Sequence, residues 1–292
     1  MRAFSRSNSI ILQPVDCHVN LGDLAEFTVN GGEGATYQWE KANDALSQFV
    51  PMAGKTNATL QIIPDSYTPY YSCKVTFPDS TSDYSDTVQV IQEHNSPTGI
   101  HGQLNGYYYT EGYTGLTQDE KKANCQKLMT FFTWSAHWSR NFTCAVLGNV
   151  WLECNMSPGT WEDFDNIARG YGWVQWTPCR QLFDWFSNHY PLQPWRNDGL
   201  LQAKCLKWES ENQGNPENVF SNYQWNTYKR SNEDVEVLAE QFCRSYLRPS
   251  PEEIEQSLQL RINRAVWISE NIWPTPPIWL YKKITEEGRK NR

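Results

Sequence analysis

Glu153 ends an apolar helical stretch, Ala145-Val146-Leu147-Gly148-Asn149-Val150-Trp151-Leu152, and the breakers Asn155 and Pro158 follow it. A carboxyl carried on a greasy helix end is partly withdrawn from water. Burial disfavours its charged form, so it can hold a proton near neutral pH and give it to a leaving oxygen, that of a glycosidic bond included. Seventeen residues on begins Gly170-Tyr171-Gly172-Trp173-Val174-Gln175-Trp176-Thr177-Pro178, a glycine-hinged strand pattern. Alternation puts Tyr171, Trp173 and Gln175 on one face, with Val174 and Trp176 turned inward. Taken alone, a helix-terminal Glu reads as half of a surface ion pair; the hairpin beside it turns the reading toward catalysis.

Further carboxylates stand between these pieces, in Glu162-Asp163-Phe164-Asp165. Glycosidases commonly use two carboxyl groups whose separation fixes the stereochemistry. Asp163 and Asp165 are the candidates for a second group, and a merely solvated acidic loop is the alternative. Gly170 and Gly172 let backbone approach a ligand or simply satisfy a tight hairpin. Glu209, beside Trp208, reads as a buried structural acid paired with Arg261 or Arg248. His137 and His189 have no Ser or Cys partner with triad logic. The cysteines of this half show no zinc spacing, so no metal and no cofactor is expected.

The 292 residues suffice for two domains, and a net charge of −8 argues against nucleic acid as a partner. It argues equally against nonspecific capture of an anionic polymer. Thirteen of the 14 Trp lie after residue 130, so the halves differ in chemistry. Indole faces suit sugar rings, yet most of these rings are expected in the core. The start has no apolar run of signal length and no segment reaches membrane-span length. The expectation is a protein made in the cytoplasm of its producer, with eight mainly reduced, buried thiols.

Residues 1–92 read as short strands: Leu24–Val29, Tyr37–Glu40, Ala58–Ile63, Tyr71–Phe77 and Asp86–Ile91. The order Val29, Trp39, Tyr71, Cys73 resembles the immunoglobulin pattern, with Val29 in the place of the first Cys, so no bridge is expected. Such modules are appended to phage structural proteins, and a spacer or docking role is expected. Residues 93–113 are rich in Gly, Pro and Asn and read as a linker, with Tyr107–Tyr109 and Tyr113 leading into the next domain; His94 and His101 there read as solvated.

Residues 114–272 read as mainly helical. A capping box at Thr117–Glu120 starts one helix and Ser139 caps the next, in which Gly148 lets a neighbouring backbone approach. Thr177-Pro178 is expected to open a helix with Pro at its first position. Residues 198–211, a start at Ser231–Asp234 and one at Ser250–Glu253 give three more. The last carries a stripe of Ile254, Leu258, Ile262 and Ala265. The tail, 273–292, reads as a docking peptide or as disordered.

Over about 114–272 these pieces resemble the phage tail lysozyme family, found in tail-tip and tail-knob proteins that degrade peptidoglycan. The matching text is Val146–Asn149 leading to Glu153, Tyr171–Pro178, Trp208-Glu209, Leu238–Phe242, Tyr246–Pro249, and Arg261 with Ala265. Cys154 and Trp173 depart from the family pattern without removing the carboxylate. The resemblance implies a multidomain chain: an all-β Ig-like sandwich, then a mainly α lysozyme-like domain with a small β-hairpin. It implies Glu153 as catalytic acid, and Asp163, at the offset of small phage lysozymes, as first choice for the second carboxylate, with Asp165 next. Tyr171, Gly172 and Gln175 would border the sugar. The implied function is a muramidase cutting the MurNAc-β-1,4-GlcNAc bond during genome delivery, in a virion tail tip or knob assembled in the host cytoplasm. Its partners would be peptidoglycan and other tail proteins. A lytic transglycosylase, a silent adhesion protein and a free endolysin are the alternatives.

Overall fold

The computed structural model describes residues 9–43, 48–65, 69–91, 93, 100–111, 115–220 and 222–276. The first eight residues, His94, Tyr113 and the tail beyond 276 lie outside the described residues. The chain divides into two compact units, Met1–Asn95 with Phe186–Arg196, and Ser96–Trp185 with Asn197–Arg292.

The first unit is β-rich. Its strands are β1 (Cys17–His18), β2 (Ala25–Thr28), β3 (Thr36–Ala42), β4 (Val50–Pro51), β5 (Thr59–Ile62), β6 (Tyr70–Thr76), β7 (Ser82–Tyr84) and β8 (Val88–Ile91). One sheet runs β1-β8-β6-β3-β4, with β7 also on β6, and β2 pairs with β5 in a second. β1 lies parallel to β8, and the other pairs are antiparallel. In β2, Ala25 and Phe27 are buried while Glu26 and Thr28 are exposed, the period-two pattern of a one-faced strand. Phe27, Val29, Trp39, Leu60, Tyr71, Cys73 and Val75 form the core. Trp39 stands opposite Cys73 in register, and its indole N–H donates to Asn57 O at 2.9 Å. Burial pushes the Cys73 thiol up to about 11. All eight cysteines are unbridged, and all but Cys17 are buried.

The second unit opens with a hairpin, β9 (Ile100–Leu104) and β10 (Tyr107–Glu111), where the sequence reads as a linker with a tyrosine lead-in. Asn105 (φ 49°) and Gly106 (φ 84°) make its turn, the left-handed pair that a two-residue hairpin requires. Then come α1 (Gln118–Trp134), α2 (Arg140–Cys154), α3 (Arg180–His189), α4 (Gly199–Glu211), α5 (Trp225–Tyr228), α6 (Val235–Phe242), a π-helical turn Cys243–Leu247, and α7 (Pro251–Asn271). Among the described residues no helix is long and apolar enough to cross a membrane.

The buried Asn124 of α1 ties three pieces together. It accepts from Tyr108 N and donates to Tyr108 O and Met156 O, at 2.7–2.9 Å. Phe132, Trp138, Phe142, Tyr223, Trp225 and Phe242 pack ring against ring and hold α1, α2 and α6 to one core. At Gly148, α7 comes close enough that a Cβ there would lie 2.6 Å from Ala265 N and 2.7 Å from its Cα. That approach sets the roll of α7. Its buried line runs through Arg261, Ala265 and Ile268; of the expected Ile254–Leu258–Ile262–Ala265 stripe Ala265 is buried and the other three are half-buried. Two further expectations shift. The Thr177–Pro178 peptide is cis and α3 starts at Arg180, and α6 starts at Val235. The tail's described start turns back on the unit: Thr275 N donates to Thr130 Oγ1 at 2.9 Å, and Arg140 lies 3.7 Å over the Trp273 ring.

The Thr117–Glu120 capping box forms as read from sequence, and the helix start at Ser250 is a second one. The Thr117 backbone N–H and hydroxyl donate to Glu120, and those bonds hold its carboxyl below the ordinary 4.5. The Ser250 backbone and hydroxyl do the same for Glu253.

Two predictions follow from this packing. Gly148→Ala gains about 1 kcal/mol of helix propensity but forces α2 and α7 apart at backbone atoms that cannot step aside. The clash wins, and urea denaturation should show a net loss of about 1–3 kcal/mol; a stabilised variant would mean the helices part freely. The lowered carboxyls of Glu120 and Glu253 add stability that is complete above 4.5 and fades as pH falls through their lower folded values. Thr117→Ala and Ser250→Ala should each cost about 1 kcal/mol at pH 7 and flatten the loss of stability between pH 5 and 3, measured by urea midpoints.

Candidate functional site

Ser139 starts α2 by accepting from Phe142 N at 3.1 Å, and Asn155, left-handed at φ 53°, ends it. Glu153 therefore sits in the last turn. Its side chain is 17% exposed and lies on the wall of a cleft of about 610 Å³. The expectation of a purely apolar crevice does not hold. Glu153 Oε1 meets Arg261 Nη1 at 2.5 Å, and Arg261 is itself only 8% exposed. The guanidinium is fixed from two helices, since its Nε donates to Ser257 Oγ at 3.1 Å and Nη1 also reaches Asn149 Oδ1 at 3.5 Å. Asn149, fully buried, is held by its own donations to Ala145 O and Ala239 O at 3.0 Å. Asn149 and Glu153 share one helix face, four residues apart, as do Ser257 and Arg261.

The second wall is the segment after α2. Thr160 Oγ1 donates to Cys154 O, and Thr160 O accepts from Gly172 N and Gln175 Nε2, at 3.0–3.1 Å. Glu162 and Gly170 clasp each other: Glu162 N donates to Gly170 O and Gly170 N to Glu162 Oε2, both at 2.9 Å. This brings Thr160, Trp161, Glu162, Val174, Gln175 and Thr177 onto the cleft. Leu247, Pro249, Glu253, Gln256 and Ser257 complete it. Glu153, Glu162 and Glu253 are its acids, and Arg261 is its sole cation among the described lining residues.

Several expected site residues fall elsewhere. Asp163 is exposed, turned to Asn166 Nδ2 at 2.8 Å, and Asp165 sits near the Cys179 thiol; neither lines the cleft, whereas Glu162 of the same acidic run does. The clasp with Gly170 is what holds Glu162 at the cleft, although its side chain stays 46% exposed. Residues 171–176 do not alternate as a strand. They form a tight turn closed by single bridges, Trp161↔Tyr171 and Tyr171↔Trp176, with Gly172 at φ 81° and Gln175 at φ 50°. Positive φ breaks the period of two: Tyr171 and Trp173 turn inward and Val174 outward, while Gln175 stays on the cleft and Trp176 stays buried. Tyr171 is fully buried against Trp161 and Phe183, and its hydroxyl accepts from Asn197 N at 2.8 Å. Trp173 is also buried, its indole N–H on Gly199 O, while Val174 lines the cleft. Gly172 gives its space to Gln202, which accepts from Trp173 N and donates to Pro158 O, both at 2.8 Å. Of Tyr171, Gly172 and Gln175, only Gln175 is on the cleft wall.

Glu209 is wholly buried, as read, but its partner is the Tyr246 hydroxyl, which donates to Oε2 at 2.9 Å. Desolvation first, and this carboxylate second, push the Tyr246 hydroxyl well up. Arg261 goes to Glu153 instead. His101 is not merely solvated, since it pairs with Glu120 at 2.9 Å. The residues missed from sequence were Arg261, Glu162 and Glu253. An arginine four residues before Ala265 on a core-facing helix line was the available signal, because buried charge requires a partner.

A family model described as phage tail lysozyme matches residues 123–270. Morphogenesis protein 1 of Bacillus phage B103 is 30% identical over 156 residues, which is 52% of this chain and 41% of that protein. The chain thus spans less than half the length of that relative. Among solved structures, a β-1,2-glucanase from Parabacteroides distasonis is aligned over 95% of this chain and 39% of that one at 10% identity. Its TM-score of 0.21 is too low to bear on fold or function.

The placement of Tyr171 is open to test. Tyr171→Phe strands a buried Asn197 N–H, so it should lower stability by about 1–3 kcal/mol and leave lytic turnover per folded molecule unchanged. A large drop in turnover at unaltered melting temperature would return Tyr171 to substrate contact.

Proposed function

The chain belongs to the phage tail lysozyme family, and from that footing we propose that it is a peptidoglycan hydrolase cleaving the β-1,4 bond between N-acetylmuramic acid and N-acetylglucosamine. The observation that carries this reading is a largely buried carboxylate, Glu153, on the wall of a polysaccharide-sized cleft that also holds Glu162. Glu153 gives its proton to the leaving glycosidic oxygen as the C–O bond breaks. Glu162, on the neighbouring wall, steadies the oxocarbenium ion or positions the attacking water. Its donors, Gly170 N and Arg169 Nη1, hold it aimed. Gln175, Trp161 and Val174 supply polar and apolar contact to the sugar rings.

The β-rich unit reads as an Ig-like docking module. The features that support it are β1 parallel to β8, Trp39 facing Cys73 across β3 and β6, and Val29 packed in the same core. In this reading the chain sits in a phage tail tip or knob, docks there through that unit or its C-terminal tail, and opens the wall during genome delivery. Peptidoglycan and tail proteins are its partners, and nucleic acid is not.

One observation favours a second reading. Glu162's oxygens already accept from Gly170 N and Arg169, so a mechanism using Glu153 alone, with the sugar closing on itself, fits the same cleft. That reaction is a lytic transglycosylation.

A zymogram on purified peptidoglycan tests the role of Glu153. Glu153→Gln should lower clearing by at least about 10²-fold, with folding intact. Equal clearing by both proteins removes Glu153 from the mechanism. Mass spectra of the digest separate the two reactions: reducing ends support hydrolysis, and 1,6-anhydro ends support the transglycosylase. Glu162→Gln should strongly reduce the first reaction and spare the second.

A further inference from the structure

We infer that Arg261 is the residue through which the cleft reads a carboxylate of its substrate, and that this carboxylate takes the place of Glu153 on the guanidinium. The inference rests on the peptidoglycan reading above and deepens it. It names the part of the polymer recognised: the acidic groups of the peptide stem carried by N-acetylmuramic acid.

The argument starts from a conflict within the site. A general acid must be neutral and must aim its proton at the substrate. Glu153 instead has Oε1 against a guanidinium at 2.5 Å, which occupies the oxygen and aims it away from the substrate. Arg261 cannot simply drift away, because Ser257 Oγ and Asn149 Oδ1 hold it from α7 and α2. What can change is the partner. The guanidinium faces the cleft, and its planar fork suits any carboxylate that enters.

The surroundings make this exchange selective. The chain carries a net charge of −8, and the cleft shows Glu153, Glu162 and Glu253. An anionic glycan is repelled by such a surface unless one cation receives it. Arg261 is that cation among the described lining residues. Once a substrate carboxylate occupies it, the Glu153 oxygen is released from the guanidinium and can be aimed at the glycosidic bond in the cleft that both residues line. A neutral chitin-like strand has no group to trade for Glu153 and leaves the ion pair closed.

The alternative is that Arg261 is only a strut between helices. Equilibrium binding separates the two. The ligands are soluble peptidoglycan strands with free stem carboxylates and the same strands with those carboxylates blocked as methylamides. The proteins are wild type, Glu153→Gln, Arg261→Lys and Arg261→Met. Wild type should prefer native over blocked strands by about ten-fold. Glu153→Gln should bind native strands about ten-fold tighter again, because nothing then neutralises Arg261, with blocked strands unaffected. Arg261→Met should lose the preference and Arg261→Lys keep part of it. Equal binding of both strands by wild type and by Glu153→Gln overturns the inference. That arm leaves Arg261 in place, so it decides the matter even where the Arg261 variants fail to fold. Cleavage is followed in the same samples. If wild type cuts neither strand, the hydrolase reading fails while the binding comparison still judges Arg261. If it cuts both and binds both equally, the hydrolase stands and this inference falls.

Discussion

Gly148 has no side chain, and α7 uses the space. With Ala265 backbone atoms where a Cβ would stand, the two helices touch main chain to main chain. This contact fixes both the roll and the axial register of α7 against α2. Everything in the cleft is then a matter of helical spacing. Asn149 follows Gly148, and Glu153 lies one turn further along; Arg261 lies one turn before Ala265 and meets both. Trp151 on Trp267, at 5.8 Å between centroids, guards the register from the other side of the crossing. A side chain at 148 would misplace the carboxylate before it disturbed anything that touches a ligand.

The aromatic wealth of the second unit serves mainly to set this frame. Trp138, Trp173 and Trp225 are core residues, and among the described indoles only Trp161 lines the cleft. Indole faces suit sugar rings, but most of these rings are already expected in the core from sequence. The structure assigns the rings to ordinary packing, in line with the area that a buried indole removes from water. The polar wall is built differently, by backbone groups: Gly170 with Glu162, and Thr160 with Gly172 and Gln175. Such stapling needs small residues and positive φ. That is why the loop holds its shape without a regular strand.

This division explains what could be read from sequence. Helix starts at Thr117, Ser139 and Ser250 were legible because capping is local chemistry, decided within four residues. Gly148 was legible because a glycine inside an apolar helix has few other uses. The faces of residues 171–176 were not, because alternation assumes extended backbone and Gly172 and Gln175 leave it. The β9–β10 hairpin hid in a stretch whose composition says linker, although Asn105-Gly106 between apolar residues is a strong hairpin signal. The choice among Glu162, Asp163 and Asp165 depended on one hydrogen bond to Gly170 N, which no spacing rule predicts. Arg261 lay on a helix line that periodicity treats as apolar, and its partner is distant in sequence.

The ion pair itself is a poor device for holding α2 to α7. Removing two such groups from water costs several kcal/mol per ion, about what their attraction returns, and apolar replacements of similar volume are often neutral or stabilising. The crossing already has Gly148 on Ala265 and the Trp151–Trp267 contact. Stability therefore gives little reason for a charge at 153 and another at 261. Their position gives one. Both face the cleft, and the cation carries two further polar partners that keep it in place whether or not the carboxylate stays. An arrangement that fixes one member of a pair independently of the other lets the other be exchanged. On the proposed function, a site that binds an acidic polymer and also keeps an acid to protonate its bond gains from that asymmetry.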